Sequence, residues 1–177
     1  YAHLPLILGP DRSKLSKRHG AVSTAEYKLL GYLPEALVNF MALLGWNPVD
    51  ERELFSLSEL VEAFDMVHIQ KSGAVFNIEK LDWINGEYIR KLSVEELFER
   101  AKDFLPENHI PYPKPYTLKV LALEQPRLKK LSEIKDKTGH FFASPEYDAE
   151  LLKWKDMTKG ELLDSIDKSI ELLSKIE

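Results

Sequence analysis

Apolar residues recur at helical spacing in one stretch of this chain after another, and most of those stretches open on a recognisable cap. Ser23 and Glu26 form a capping box for a helix that Gly31 should stop. Pro34 suits the first turn of the next, where Leu37, Phe40, Met41 and Leu44 repeat at i, i+3, i+4 and i+7 before Gly45. Ala36, Val38 and Leu43 line its other face, so this helix is predicted to be buried nearly all round. Trp46-Asn47-Pro48 reads as a turn, and Ser56 with Glu59 opens a third helix striped by Leu57, Leu60, Val61 and Phe64. Asn77 caps a fourth, running through Leu81, Trp83 and Ile84 towards Arg90. Ser93 and Glu96 box a fifth, with Val94, Leu97, Phe98 and Ala101 on one face and Pro106 as its stop. Trp46, Phe76, Trp83 and Tyr88 are assigned to packing, the commonest use of large aromatic side chains in such positions.

Two short apolar runs break this helical rhythm. Leu4 to Leu8 contains Pro5 and closes on Gly9-Pro10, which predicts an edge strand, and Gly73 to Phe76 is a second candidate. Four prolines between Leu105 and Pro115 exclude regular structure there. The apolar and aromatic residues among them favour an ordered connection over a flexible linker. Further helices are predicted near Tyr116 to Leu123 and Leu131 to Phe141. A last one is opened by Thr158 and Glu161 and buries Leu162, Leu163, Ile166, Ile170 and Leu173. The fold class is therefore mainly α, with one or two short strands.

Composition narrows the setting. The 177 residues are 44% hydrophobic and 30% charged, ordinary values for a globular chain with a real core. With no Cys there is neither a disulfide framework nor a Cys-ligated zinc site. No apolar run approaches the roughly 20 residues that span a bilayer. The opening Tyr1-Ala2-His3 does not resemble a signal peptide, so a cytoplasmic protein is expected, or an organellar one whose presequence has been removed, with no membrane partner. A net charge of −5 argues against indiscriminate coating of nucleic acid, which feeds on phosphate neutralisation. Charge is nonetheless unevenly placed: Arg127, Lys129, Lys130, Lys135 and Lys137 face only Glu133 and Asp136 within their segment, whereas acids outnumber lysines from Ser144 onward.

The chemically suggestive stretch is Lys14-Leu15-Ser16-Lys17-Arg18-His19-Gly20. Arg12, Lys14, Lys17 and Arg18 crowd together without an acid, with Ser and Gly between them. Lys supplies a point charge to phosphate oxygens, Arg a bidentate fork, Ser a hydroxyl, and Gly a close backbone approach. A solvated basic loop has the same composition, so charge alone does not decide. No Walker-type phosphate loop, Ser-His-Asp set or His-Glu-x-x-His pattern accompanies it, and the histidines at 3, 19, 68, 109 and 140 are scattered.

The order of residues decides more. Lys-Leu-Ser-Lys-Arg resembles the KMSKS signature of class I aminoacyl-tRNA synthetases, in the form of the glutamyl-tRNA synthetase family. The similarity extends through His3 to Asp11, His19 to Ser23, Gly31 to Asn39, Leu44-Gly45-Trp46 and Phe76 to Ile89. It fades after about Leu92, with Arg127-Leu128-Lys129-Lys130-Leu131 and His140-Phe141-Phe142 as later points of likeness. Position 77 is often Asp in that family; Asn caps a helix equally well.

The resemblance implies a stem-contact domain over 1–92 that carries the KMSKS loop, followed over 93–177 by the first part of a helical anticodon-binding domain. It also implies that the family's Rossmann-type nucleotide-binding domain, with its HIGH motif, is not in this chain. The implied parent reaction joins glutamate to tRNA-Glu with ATP and Mg2+, through glutamyl-adenylate, with tRNA-Gln left open as a second acceptor. Lys17 is the implied catalytic contact to the ATP phosphates, while Lys14, Leu15, Ser16 and Arg18 shape its loop. Arg127 corresponds to an Arg near the anticodon, and Lys129 and Lys130 to backbone contacts on tRNA. The chain is expected to be a monomer, to bind no metal of its own and to be inactive alone. The competing class is a stand-alone, non-catalytic RNA-binding module related to the synthetase.

Overall fold

The computed structural model describes residues 5–16, 23–143 and 146–175. The chain divides into two compact units, 1–143 and 144–177. The first holds α1 (Thr24–Leu29), α2 (Pro34–Gly45), α3 (Leu57–Ala63), α4 (Ile78–Lys91), α5 (Val94–Ala101), α6 (Lys114–Glu124) and α7 (Ile134–Phe142), with short 3-10 turns between α5 and α6 and between α6 and α7. The second holds the 3-10 turn Ala149–Leu152 and α8 (Lys159–Leu173). The mainly α expectation is thus borne out.

The caps act as the sequence requires. Ser23, Ser56, Ser93 and Thr158 each accept from the backbone of the third helical residue, whose glutamate reaches back to the cap amide. Asn77 accepts from the Lys80 amide at 3.1 Å. Gly31, at φ +82°, turns the chain from α1 into α2, a conformation that side chains with a Cβ resist.

One contiguous core joins α2, α4, α5, α6 and α7. Leu81, Ile84, Ile89, Leu97, Leu121, Leu128 and Ile134 are all fully buried in it. Each such side chain contributes about 1.5–3 kcal/mol of transfer free energy. α2 packs on α4, α5 on α6, and α4 on the 3-10 turn Gln125–Arg127, so contacts run across position 92. A smaller cluster of Trp46, Phe55 and Leu60 seats α3. In the proline-rich stretch, Leu105 and Pro106 are buried and Tyr112 stacks on Tyr116, so it is the ordered connection expected. It is not free of regular structure: Glu107–His109 form a 3-10 turn and α6 starts at Lys114, because Pro115 in a first helical turn has no intrahelical bond to lose.

Several expectations need correction. The two short apolar runs form no extended sheet. Among the described residues they pair only through isolated bridges at Leu8, antiparallel to Lys14 and parallel to Val75 of the second run; Leu4 lies outside the described residues. α2 is not buried all round, since Val38 and Met41 are 48% and 46% exposed. Of the α3 stripe only Leu60 is buried: a seven-residue helix has less than two turns, and Phe64 just beyond it meets the Trp46 ring while staying 46% exposed. Trp83 is exposed on the outer face of α4, whereas Trp46 is buried and Phe76 packs against the main core. None of the α8 stripe is buried; Leu162 and Ile166 are half-buried and Leu163, Ile170 and Leu173 exposed. The unit 144–177 contains one helix and one short turn, and so has no second face of its own on which to bury a stripe.

Candidate nucleic-acid interface and the base of the basic loop

The basic loop leaves from a built turn. Gly9 donates to the Ser13 carbonyl at 2.8 Å, Arg12 donates to the Gly9 carbonyl at 2.9 Å, and Ser13 donates to Asp11 Oδ1 at 3.0 Å. Arg12 takes a left-handed φ of 62° at the tip. On either side of Leu8, Leu15 donates to the Ile7 carbonyl at 2.9 Å and Phe76 to the Leu8 carbonyl at 2.8 Å. Leu15 is half-buried, while Lys14 and Ser16 are exposed. Lys17, Arg18 and His19 lie outside the described residues, and description resumes at the Ser23 cap.

An apolar cavity of about 260 Å³ lies beside this base, lined among others by Leu6, Ile7, Met41, Trp46, Phe64 and Ala74. Among the described residues its lining contains no cation. Among the described residues, no group of three His, Asp or Glu side chains could hold a metal ion, and no helix is long and apolar enough to cross a membrane.

The basic segment is built differently, laid antiparallel along one face of α4. Gln125 Nε2 donates to the Ile89 and Leu92 carbonyls at 2.9 and 2.8 Å. Arg90 Nη1 donates to the Pro126 carbonyl at 3.3 Å. A Cβ on Gly86 would lie 3.1 Å from the Leu128 carbonyl oxygen, so glycine lets the two backbones approach. Asn85 Nδ2 donates to the Lys129 carbonyl at 2.6 Å, and Lys130 Nζ lies 3.5 Å from Asp82.

This arrangement sorts the predicted RNA contacts. Arg127 is 73% exposed, with one guanidinium nitrogen 3.4 Å from the nearly buried Glu124 carboxylate. Lys129 is exposed as well. Lys130 instead folds back over the Tyr32 ring, at 5.7 Å, to reach Asp82. Tyr32 donates its hydroxyl to the same carboxylate; burial first, and that bond second, push its pKa far above the ordinary phenol value. Lys137 Nζ donates to the Arg127 carbonyl at 2.9 Å and sits 3.4 Å from Glu133. The segment therefore presents Arg127 and Lys129 outward while its carbonyls are held from behind.

Residues 1–83 match the family described as tRNA synthetases class I (E and Q), catalytic domain, and residues 96–177 match the anticodon binding domain family. A glutamate–tRNA ligase of Dehalococcoides mccartyi is 49% identical over 174 residues, which cover 94% of this chain and 35% of the relative. The chain belongs to the glutamyl-tRNA synthetase family. Another glutamate–tRNA ligase, from Aquifex aeolicus, is 48% identical over 164 residues, 90% of this chain and 35% of its own length. The crystal structure of a glutamate tRNA ligase from Elizabethkingia meningosepticum, in complex with its amino acid, superposes with a TM-score of 0.84 at 32% identity, over 99% of this chain and 38% of that one. This chain thus spans about a third of the length of the synthetases it matches.

Within the synthetase family likeness, sequence reasoning reached Arg127, Lys129 and Lys130 but missed the residues behind them. Asn85 and Gly86 fall within the stretch of likeness Phe76 to Ile89, which does not by itself say what they hold, and Gln125 lies outside the stretches of likeness. A signal was present at Asn85: it falls on the buried side of α4 with Leu81, Ile84 and Ile89, where an amide needs partners.

Proposed function

We propose that this chain is the part of a glutamyl-tRNA synthetase that supplies the ATP-facing KMSKS loop and a tRNA-contacting surface. The reading is supported above all by the segment 125–130, whose carbonyls at Pro126, Arg127 and Lys129 accept from Arg90, Lys137 and Asn85 while the Arg127 and Lys129 side chains are left exposed. In function, 1–92 is the stem-contact part and 93–177 the first part of the anticodon-binding region. The whole protein would be a cytoplasmic monomer that charges tRNA-Glu.

In the whole protein a glutamate carboxylate oxygen attacks the α-phosphorus of ATP, taken as its Mg2+ complex. The bond to the β-phosphate oxygen breaks and pyrophosphate leaves. A hydroxyl of the terminal adenosine of tRNA then attacks the acyl carbon and AMP departs. Negative charge builds on the phosphate oxygens in the first step. A loop cation that meets them only then stabilises the transition state more than bound ATP, and so accelerates the reaction. Lys17 takes that role by motif position, with Lys14, Leu15, Ser16 and Arg18 shaping its approach. The turn at Gly9 to Ser13 and the Leu8 bridges give the loop a fixed root from which to close.

Arg127 then reads a base edge or phosphate near the anticodon, and Lys129 contacts the RNA backbone. Lys130, already engaged by Asp82, adds less. By itself the 177-residue chain binds tRNA without charging it. The test is Lys17→Ala in the full-length protein. Pyrophosphate exchange should fall by about a hundredfold or more while the fold persists, and an unchanged rate would refute the assignment.

A further inference from the structure

Asn85 is fully buried in the middle of α4, in a stripe otherwise made of Leu81, Ile84 and Ile89. Both Nδ2 protons and one acceptor position of Oδ1 are engaged. Oδ1 accepts from the Leu33 amide at 2.8 Å, the residue that caps α2 without a side-chain cap of its own. Nδ2 donates to the Lys129 carbonyl at 2.6 Å and to the Gly31 carbonyl at 3.4 Å. The Gly31 carbonyl also accepts from the Leu131 amide at 3.0 Å, and Ser132 Oγ donates to the Leu30 carbonyl at 2.8 Å. Four pieces of chain therefore meet at this amide: the end of α1, the start of α2, the middle of α4 and the basic segment.

The other ties on that segment differ in kind. Arg90 and Lys137, which hold the Pro126 and Arg127 carbonyls, are long side chains with many rotamers. Gln125 anchors the segment upstream of Arg127. Asn85 has a short side chain locked by packing, so its reach is fixed; it ties the Lys129 carbonyl to the turn that separates α1 from α2, beside the Leu131–Gly31 backbone bond, while the Lys129 amide donates to Glu133 Oε2 at 3.2 Å. An apolar residue would fill the same stripe without the cost of burying an amide. What the amide adds is a defined position for the backbone it holds.

The geometry points to Asn85 as a positioning residue for tRNA recognition, setting how Arg127 and Lys129 stand out from α4 and tying that setting to the Gly31 turn. This rests on the reading that Arg127 meets the anticodon region. Loss of the donor releases the Lys129 carbonyl, and the guanidinium two residues earlier loses the fixed base from which a directional contact is made. A phosphate contact by a flexible ammonium tolerates such slack; a base-edge contact does not.

The experiment measures binding of the chain to cognate tRNA-Glu and to the same tRNA with a swapped anticodon, over a range of salt, for wild type, Asn85→Asp, Asn85→Ser and Arg127→Ala. Asp keeps the acceptor for Leu33 and loses the donor; Ser keeps a hydroxyl that cannot span all three partners. In whichever variant retains the wild-type circular dichroism and a cooperative melt, the preference for cognate tRNA should drop about tenfold or more, with the salt slope unchanged. A folded Asn85 variant with full preference overturns the inference. Should Arg127→Ala keep the preference, the anticodon reading itself fails; should it lose the preference while the Asn85 variants keep it, only the role of Asn85 fails. Hydrogen exchange on the wild type supplies an independent readout: the Leu33 amide, which donates to Asn85, should slow further with cognate than with swapped tRNA. Equal slowing by both counts against the inference.

Discussion

The side-chain amide of Asn85 lies 2.6 Å from the carbonyl of Lys129, a residue 44 positions further along the chain. That bond is one rung of a ladder. Asp82 meets Lys130, Gly86 admits Leu128, Arg90 holds Pro126, and the carbonyls of Ile89 and Leu92 receive Gln125. α4 thus serves as a backing rail for the stretch that faces RNA in our reading, and the surface cations follow from which side chains the rail leaves free.

Lys129 and Lys130 should separate cleanly when each is replaced by alanine. Lys129→Ala should lower tRNA affinity, reduce the salt slope by about 0.7–0.9, and leave the melting temperature unchanged. Lys130→Ala should change the slope less and cost about half a kcal/mol of stability, because its partner Asp82 is only 19% exposed and loses its cation. Filter binding across salt, with thermal melts alongside, distinguishes the two.

Gly31→Ala should be among the more damaging single-methyl additions. The backbone there is at φ +82°, and a Cβ would come within 2.5 Å of the Ser132 amide nitrogen and 2.6 Å of that of Leu131. Backbone must move, so the substitution should cost about 2 kcal/mol or more in urea unfolding.

Tyr88 gives the fold an alkaline limit. Its single hydroxyl proton is shared between Asn39 Oδ1, at 2.8 Å, and the Phe55 carbonyl, and burial, followed by the charges of Glu35 and Glu59, raises its pKa to about 12. The folded value exceeds the ordinary value of 10.0, so the contribution is full below pH 10 and is lost as pH rises towards 12. Tyr88→Phe should cost about 1 kcal/mol at neutral pH and should flatten that alkaline loss in melts run from pH 9 to 12.

The capping glutamates give the acid limit. Glu26, Glu59 and Glu96 lie below their ordinary value of 4.5, chiefly because each accepts the backbone N–H of its serine cap and next because of the serine side chain. A lowered folded pKa means stability that is present above pH 4.5 and lost as pH falls through the folded values. Glu59→Gln should lower the melting temperature at pH 6 and shrink its decline towards pH 3; an equally steep decline would contradict this origin.

Much was legible because it is local. A Ser-x-x-Glu box, Pro34 in a first turn and the 3.6-residue spacing each act within one or two turns of helix, so they located α1 to α5 and the last helix from sequence alone. The run Lys14 to Arg18 pointed to its family for the same reason, since a loop motif is contiguous by nature. The strands failed because Leu8 pairs with partners at positions 14 and 75 that supply only a bridge each, and pairing of that kind is not written in a run's own composition. The α3 stripe and Trp83 failed because periodicity marks a face as apolar without saying whether anything covers it.

By itself, then, the sequence determined the helical class, the caps, the basic loop and the family, all of which depend on neighbours in the chain. Tertiary structure alone decided which cations face solvent. Lys129 and Lys130 are adjacent and chemically identical, yet Asp82 on α4 takes one and no side chain of α4 takes the other. It also gave Asn85 its partners, because a buried amide acquires meaning only from the carbonyls that folding brings within its reach.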